Sequence, residues 1–197
     1  MVSVLKVGII GKGKVGSALG TGLKRAGHDV LFGHRDPNES VLKAAEWGEV
    51  VILAVPFVAV KNVAQEIALT VKGKVVVDVT NVFDANDEWA LGFSTSGAEE
   101  LQKVLLDARV VKAFNTVFAQ NQSIGKVGTE RLSAFIAGDD AEAKNKVMKL
   151  AQDIGFEPVD CGPLRNARYL EPMAMLIIDL AFDLRMGTKI GYKLVKA

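Results

Sequence analysis

A glycine pattern near the start of the chain has the spacing of a phosphate-binding loop. An apolar run precedes the segment GKGKVG, which places Gly11, Gly13 and Gly16 in the order G-x-G-x-x-G ahead of an amphipathic stretch. In this context the first glycine permits a tight turn, the second lets a pyrophosphate approach the backbone, and the third lets a helix pack closely on a sheet. Exposed N–H groups at the helix start then bind phosphate charge. The pattern predicts a dinucleotide-binding loop, in which Lys12 and Lys14 either assist the phosphates or are simply solvated.

The end of the next apolar run indicates which dinucleotide binds. An acidic residue there would hold the ribose hydroxyls and repel a 2′-phosphate, but the sequence is LFGHRDPN and that position is Gly33. The missing side chain is expected to leave room beside the ribose, and Arg35, with His34 adjacent, offers a planar two-pronged donor to phosphate oxygens. These residues favour NADP over NAD. Alternatively, Arg35 only pairs with Asp36 or Glu39 on the surface; Asp36 precedes a proline and is expected to shape a turn.

Short runs rich in Val, Ile and Leu alternate along the chain with longer helical patterns, which is typical of a parallel sheet covered by helices on both faces. The predicted strands span residues 4–10, 29–34, 50–55, 74–79, 109–114, 132–138 and 156–161. The predicted helices span residues 14–26, 40–47, 58–71, 98–107, 141–154 and 168–186. Irregular stretches at 80–97 and 115–131 follow strands, where open α/β sheets place ligand-binding loops. The sequence predicts one Rossmann-type, doubly wound α/β domain over residues 1–197, with a mainly parallel sheet.

Composition limits the partners and the compartment. The chain has 197 residues, of which 49% are hydrophobic and 24% charged, enough for one domain with a sizeable core. A formal net charge of +1 with dispersed basic residues does not favour nucleic acid, and two histidines with one cysteine predict no metal site. The lone Cys161 is expected to be a packing residue, and the N-terminus lacks a secretory signal, so a cytoplasmic location is expected. The apolar segment 172–184 is too short to span a membrane and predicts a buried or subunit-contacting helix.

Several motifs together resemble the NADPH-dependent reductases of coenzyme F420 and the related cytosolic domain of the six-transmembrane, STEAP-type metalloreductases. They are GIIGKGKVGSAL, GHRDP, LAVPF after the third strand, VVKAFNT and CGPLRNARYLE. The resemblance covers nearly the whole chain, and GPLRNAR and KAFNT are more specific than the glycine loop. It implies one Rossmann-type domain with a short C-terminal helical extension, residues 163–197, that forms a homodimer contact. It also implies that NADPH lies across the strand ends with a flavin-like ring stacked on the nicotinamide.

The resemblance also implies roles for individual residues. The residues that it implies bind the cofactor phosphates are Gly11, Gly13, Val15, Gly16, His34 and Arg35. For the loop beneath the nicotinamide ribose they are Val55, Pro56 and Phe57, and for the reaction centre Asn115 and Thr116. The KAFNT motif has asparagine at position 115, where the archaeal coenzyme reductases are expected to have histidine, so here it is closer to the metalloreductase domain.

Hydride transfer between a nicotinamide and a flavin-like ring requires no strong acid or base from the protein. The cofactors supply the chemistry, while the protein holds the two rings in contact and excludes water. Asn115 is expected either to orient the nicotinamide carboxamide or acceptor ring, or to cap an irregular loop. Asn81 is placed similarly after the fourth strand, and Asp78 before it is expected to bind loop amides. Trp89, in the loop at 80–97, is either a packing anchor or part of the acceptor pocket.

These observations predict an NADPH-dependent oxidoreductase with a small-molecule electron acceptor, coenzyme F420 first and FMN or FAD second. Two alternatives remain open. A pyrroline-5-carboxylate-type imine reductase has a similar first half, although the 36 residues after Cys161 are too few for the helical domain of such enzymes. A non-catalytic NADP-binding redox sensor is compatible with the lack of a strong acid or base.

Overall fold

The computed structural model describes residues 4–36, 38–86, 88–91 and 93–196 as alternating strands and helices. The strands are β1 (Lys6–Ile10), β2 (Asp29–Gly33), β3 (Val50–Leu53), β4 (Val75–Asp78), β5 (Arg109–Lys112), β6 (Lys126–Val127), β7 (Glu130–Arg131), β8 (Ser133–Gly138) and β9 (Glu157–Asp160). The helices are α1 (Lys14–Arg25), α2 (Val41–Trp47), α3 (Phe57–Ile67), α4 (Gly97–Val104), α5 (Ala119–Gln122), α6 (Ala141–Ile154) and α7 (Ala167–Phe182). A short 3₁₀ helix, Leu164–Asn166, precedes α7.

Seven of the strands form one sheet in the order β2-β1-β3-β4-β5-β8-β9. The strands from β2 to β5 are mutually parallel, β8 runs antiparallel to β5, and β9 is parallel to β8. Strand order reverses between β1 and β3, because β2 lies on one side of β1 and all later strands lie on the other. In open α/β sheets this switch point is where ligands bind, at the carboxyl ends of the strands. The prediction of a Rossmann-type, mainly parallel sheet is confirmed.

Both faces of the sheet are covered, which explains why its central strands are apolar throughout. In β3, Val50 and Ile52 belong to the core on the α1 and α6 face, whereas Val51 and Leu53 belong to the core on the α3 and α4 face. Successive side chains of a strand point to opposite faces, so a strand buried on both sides has no polar position. Every residue of β3 and of β4 is buried.

The predicted strands and helices are all present, with ends that differ by a few residues. The α6 bounds coincide with the prediction, whereas α7 ends at Phe182 instead of residue 186. The sequence analysis missed the β6–β7 hairpin and α5, both within the stretch predicted to be irregular. Strands of two residues and a helix of four are too short for hydrophobic periodicity to indicate them.

The chain after α7 returns to the edge of the sheet. The Ser133 amide donates to the Tyr192 carbonyl over 2.9 Å, and the Leu194 amide donates to the Ser133 hydroxyl over 2.9 Å. The Tyr192 hydroxyl in turn donates to the Met173 carbonyl of α7 over 2.9 Å. These bonds attach the C-terminal segment to both β8 and α7. Among the described residues, no helix has the length and apolarity needed to cross a membrane.

Candidate functional site

A cavity of about 900 Å³ lies at the switch point of the sheet. Three segments form most of its wall: residues 10–13 after β1, residues 33–36 at the end of β2, and residues 54–56 after β3. The start of α2 and one face of α3 complete it. The glycine loop and the Gly33–Arg35 segment, which the sequence analysis treated separately, therefore share one cavity with Val55 and Pro56.

The glycine loop is closed by backbone contacts that only glycine permits. Gly11 has a φ of 106°, in the left-handed region, and its amide donates to the Gly33 carbonyl over 2.9 Å. A Cβ at Gly11 would lie 2.2 Å from the Ala54 carbonyl oxygen, and a Cβ at Gly16 would lie 2.1 Å from the Gly11 carbonyl oxygen. The predicted tasks of these two glycines, a tight turn and close packing of α1, match the observed contacts.

Gly13 leaves space at the beginning of α1. It is the N-cap residue, no side chain caps the helix, and the first turn has no acidic residue. A Cβ placed on Gly13 would meet nothing within 4 Å. The N–H groups of the first helical turn therefore face open space with partial positive charge, which suits a pyrophosphate. Lys14 and Val15 also lie in this turn but outside the cavity wall; Val15 packs against the core.

Gly33 lines the cavity, and its lack of a side chain has a packing reason that was not predicted. A Cβ at this position would lie 2.8 Å from Val41 Cα and 3.1 Å from Ala44 Cβ. It would therefore collide with α2 rather than fill the space beside a ribose. Gly33 is required for packing of α2 on β2, and the absence of a carboxylate beside the ribose position is a consequence.

Arg35 lies exposed at the cavity edge, and the carboxylates proposed as its surface partners are engaged elsewhere. Asp36 Oδ1 accepts from the Asn38 amide over 2.9 Å, which gives the predicted turn; Pro37 lies outside the described residues. Glu39 forms an ion pair with Lys12 of the glycine loop. Lys12 and Arg35 thus bring two cationic groups to the wall of the cavity, and His34, next to Arg35 in the chain, also lines it.

Phe57 begins α3 next to the cavity but is not part of its wall. Instead, its ring faces the N-terminus of α4, and a Cβ built on Gly97 would lie 3.0 Å from Phe57 Cε2. The segment after β3 and the start of α4 are therefore in contact. This contact brings the loop after β4 to the same edge of the sheet as the cavity.

The structure places Asn81, Asn115 and Thr116 together, away from the cavity wall. Asn115 Nδ2 donates to Asn81 Oδ1 over 3.2 Å and to the Leu170 carbonyl of α7 over 2.9 Å, and Asn81 Nδ2 donates to the Asn115 carbonyl over 3.3 Å. The two amides thus fasten the loops after β4 and β5 to each other and to α7, as the loop-capping interpretation predicted. Asn115 Oδ1 and Thr116 Oγ1 are buried and have no hydrogen-bond partner among the described residues.

A strained residue directly precedes this pair of amides. Phe114 has a φ of 63°, which is uncommon for a bulky side chain and costs on the order of 1–3 kcal/mol. Its ring packs on Phe156 at a centroid distance of 5.7 Å, and its carbonyl accepts from Gln122 Nε2 over 3.1 Å. The surrounding contacts hold the left-handed conformation, and the chain reversal after β5 turns Asn115 toward Asn81. The sequence gives no indication of this strain.

The sequence analysis also missed a buried charge cluster, which we define as Asp78, Lys112 and Glu171. Lys112 Nζ lies 2.9 Å from Asp78 Oδ2 and 2.9 Å from Glu171 Oε1, and the three side chains are at most 1% exposed. Burial opposes the charged form of Lys112, but the two carboxylates raise the pKa of its ammonium group above the ordinary value. Two features of the sequence indicated this cluster: a lysine inside the apolar run VVKAF and an acid at the end of VVVD. A charged residue in a buried strand predicts a partner of opposite charge, because buried charges are normally paired.

The loop after β4 carries an aromatic group. The Phe83 and Trp89 rings meet edge to face at 6.1 Å, and Trp89 stacks with Phe93 at 6.3 Å. Trp89 thus packs within its own loop, and 70% of Phe93 is exposed. The loop ends in a capping box, in which the Glu99 amide donates to Ser96 Oγ over 3.2 Å.

Comparison with known proteins places this geometry in a family. Residues 6–82 match the model of the family described as coenzyme F420-dependent NADP oxidoreductases. The F420-dependent NADP reductase of Methanothermobacter marburgensis is 30% identical over 211 residues, which cover 89% of this chain and 92% of that protein. The chain belongs to the coenzyme F420-dependent NADP oxidoreductase family.

Two further matches show how far this family likeness extends. Metalloreductase STEAP3 of Rattus norvegicus is 31% identical over 188 residues, 88% of this chain, and the chain spans only 37% of the length of that relative. The crystal structure of a candidate F420-dependent NADP reductase from Arthrobacter sp. FB24 superposes with a TM-score of 0.90 at 24% identity, covering 98% of this chain and 100% of the other. The latter shows that the family fold is present from one end of the chain to the other.

Proposed function

We propose that this family member transfers hydride between NADP(H) and a flavin-like acceptor, with coenzyme F420 the first candidate and FMN or FAD the second. The observation that carries the proposal is the cavity at the switch point. Its wall combines the open N-terminus of α1 at Gly13 with the cationic groups of Lys12 and Arg35, and the ribose position at Gly33 has no carboxylate. This combination accommodates a pyrophosphate and a 2′-phosphate.

Each group of the cofactor has a proposed position in this wall. The glycine loop, from Gly11 to Gly16, holds the pyrophosphate, with Lys14 and Val15 contributing first-turn N–H groups. Arg35 and His34 hold the 2′-phosphate, assisted by Lys12. When bound, NADPH supplies the hydride. The protein binds and orients it and excludes water from the two rings.

The nicotinamide end is proposed to lie over Val55 and Pro56 and to extend toward Phe57. Beyond this segment, Asn115 Oδ1 and Thr116 Oγ1 are buried without a partner among the described residues, although buried polar atoms are normally satisfied. We assign these atoms, with Asn81, to the reaction centre, where they are available to the carboxamide or to the acceptor ring. The Asn81–Asn115 hydrogen bonds would hold these groups in place.

The preference for coenzyme F420 over other flavin-like acceptors rests on the relatives. The methanogen reductase, named for coenzyme F420, matches over 92% of its length, whereas the metalloreductase match covers 37% of that protein. The loop after β4 supports a flat ring as acceptor, because it carries the stacked rings of Trp89 and Phe93 and 70% of Phe93 is exposed.

One assay separates the candidate functions. The protein is mixed with NADPH and, in turn, with F420, FMN, FAD plus ferric chelate, and pyrroline-5-carboxylate, while absorbance of the nicotinamide band is followed. Fastest oxidation with F420 supports the proposal, and oxidation with FMN or FAD alone supports its second form. Oxidation only with the imine substrate contradicts both. NADPH binding without oxidation by any acceptor would favour the redox sensor.

A homodimer is also proposed, with α7 at its centre. On this helix the large apolar residues Tyr169, Leu176 and Phe182 are 71%, 53% and 61% exposed, and Tyr169 and Leu176, seven positions apart, share one side. An exposed apolar face of this kind marks an interaction surface. Leu176→Asp is expected to shift the sedimentation coefficient from dimer to monomer, while Leu69→Asp, at an exposed leucine outside α7, leaves it unchanged. Identical sedimentation of the wild type and Leu176→Asp would contradict the assignment.

A further inference from the structure

The buried charge cluster has more negative charge than its lysine neutralises. Each carboxylate accepts from N–H donors: Asp78 Oδ1 from the Thr80 amide over 2.9 Å, and Glu171 from the Gly97 and Ala98 amides over 3.0 and 3.3 Å. With Lys112 Nζ beside Asp78 Oδ2 and Glu171 Oε1, every carboxylate oxygen of the cluster faces an N–H donor. Two carboxylates and one ammonium leave one surplus negative charge, and the N-terminus of α4 offsets about half of it.

Protein stability does not account for the surplus carboxylate. A buried ion pair contributes little net stability, because desolvation of the charges offsets their attraction. One carboxylate would suffice to pair Lys112, and Asp78 is already its register partner on the neighbouring strand. Glu171 adds a second buried carboxylate from α7; a neutral glutamine would still accept from the Gly97 and Ala98 amides, so capping of α4 does not by itself require the charge.

The cluster lies next to the proposed nicotinamide position. Asp78 pairs in register with Leu53, the residue before Ala54 of the cavity wall. A Cβ on Gly97 would lie 3.4 Å from Glu171 Oε1 on one side and 3.0 Å from the Phe57 ring on the other. The surplus charge is therefore only one layer of residues from the segment after β3, and no solvent reaches the cluster to screen it.

We propose that the buried charge cluster favours the oxidised nicotinamide, and so favours hydride donation to the acceptor. The nicotinamide ring is neutral in NADPH and carries a positive charge in NADP⁺, because the departing hydride takes both bonding electrons to the acceptor ring. A fixed negative charge nearby stabilises the cation relative to the neutral ring. The inference rests on the proposed function, since it requires NADP(H) in the cavity.

Glu171→Gln removes the surplus charge while it keeps the side-chain volume and an oxygen that accepts from the α4 amides. Dissociation constants of NADP⁺ and NADPH are measured on the same protein by fluorescence titration. We expect the ratio Kd(NADP⁺)/Kd(NADPH) to rise about tenfold, the effect of one unit charge about 10 Å away at an effective dielectric constant of about 25. Asp78→Asn removes the same charge from the sheet and is expected to raise the ratio too, which keeps the test decisive if Glu171→Gln fails to fold.

The control is Glu99→Gln, which removes a carboxylate from the first turn of the same helix and cuts its bidentate contact with Arg168 of α7. Because Glu99 is partly exposed and paired, we expect this control to leave the ratio unchanged. Equal weakening of both cofactors in Glu171→Gln, or the same ratio change in the control, would overturn the inference and indicate a packing role. Failure of the wild type to bind either cofactor would instead refute the proposed function.

Discussion

Replacement of Arg35 with alanine is the sharpest test of cofactor selection. Arg35 is exposed at the cavity edge, with Asp36 and Glu39 engaged by other residues. A charge-assisted hydrogen bond to phosphate contributes about 1.5–3 kcal/mol, and exposure places Arg35 at the lower end of that range. A loss of about 1.5 kcal/mol corresponds to roughly tenfold weaker binding of NADPH. NADH has no 2′-phosphate, so its affinity should be nearly unchanged.

The assay measures dissociation constants of NADPH and NADH for the wild type, Arg35→Ala and a matched control. Lys61→Ala is a suitable control because it removes the same charge from the exposed side of α3, close to the cavity but outside its wall. The control should bind both cofactors as the wild type does. Equal losses for NADPH and NADH in Arg35→Ala would refute the assignment of Arg35 to the 2′-phosphate, and no loss would mean that Lys12 or His34 carries it.

Three further predictions concern the glycine loop, its ion pair with Glu39, and the first turn of α4. Gly16→Ala should lower the free energy of unfolding by about 1–3 kcal/mol, because the new Cβ would collide with the Gly11 carbonyl. Gly13→Ala should keep the wild-type melting temperature, because its Cβ would meet nothing within 4 Å, but it should weaken NADPH binding. Glu39→Gln frees Lys12 for the phosphate and should tighten NADPH binding by up to about fivefold, as measured by titration. Glu99→Gln should lower the melting temperature at pH 7, and this difference from the wild type should shrink as the pH falls below about 4.

The sign of the last prediction follows from the pKa of Glu99. Burial alone would raise that pKa, but hydrogen bonds from Arg168 and Ser96 hold it below the ordinary value. A carboxyl with a depressed pKa contributes stability above its unfolded pKa of about 4.3 and loses that contribution as the pH falls through the folded value. A melting-temperature difference between Glu99→Gln and the wild type that did not shrink as the pH was lowered below about 4 would contradict this account. The predictions for Gly13→Ala and Glu39→Gln concern NADPH affinity, and their controls are the dissociation constants of NADH measured on the same two variants.

Local patterns carried most of the information about the fold. Strands such as Val50–Leu53 are uniformly apolar because both faces are buried, and helices such as Ala141–Ile154 have a clear period, so both could be located from the sequence. The glycine loop was also predictable, because the spacing of its three glycines between a strand and a helix is a short-range pattern. The β6–β7 hairpin was missed, since its strands have two residues each and its pairing depends on the surrounding structure.

The sequence by itself determined the strands of the sheet and the glycine loop, because these depend on short-range spacing. Only the tertiary structure decided why Gly33 is a glycine, since the atoms that exclude a side chain belong to α2. It also brought Lys112 to Glu171, which lies 59 positions further along the chain on α7. Contacts between distant segments follow from the packing of α7 across the strand ends, and no local pattern encodes that packing.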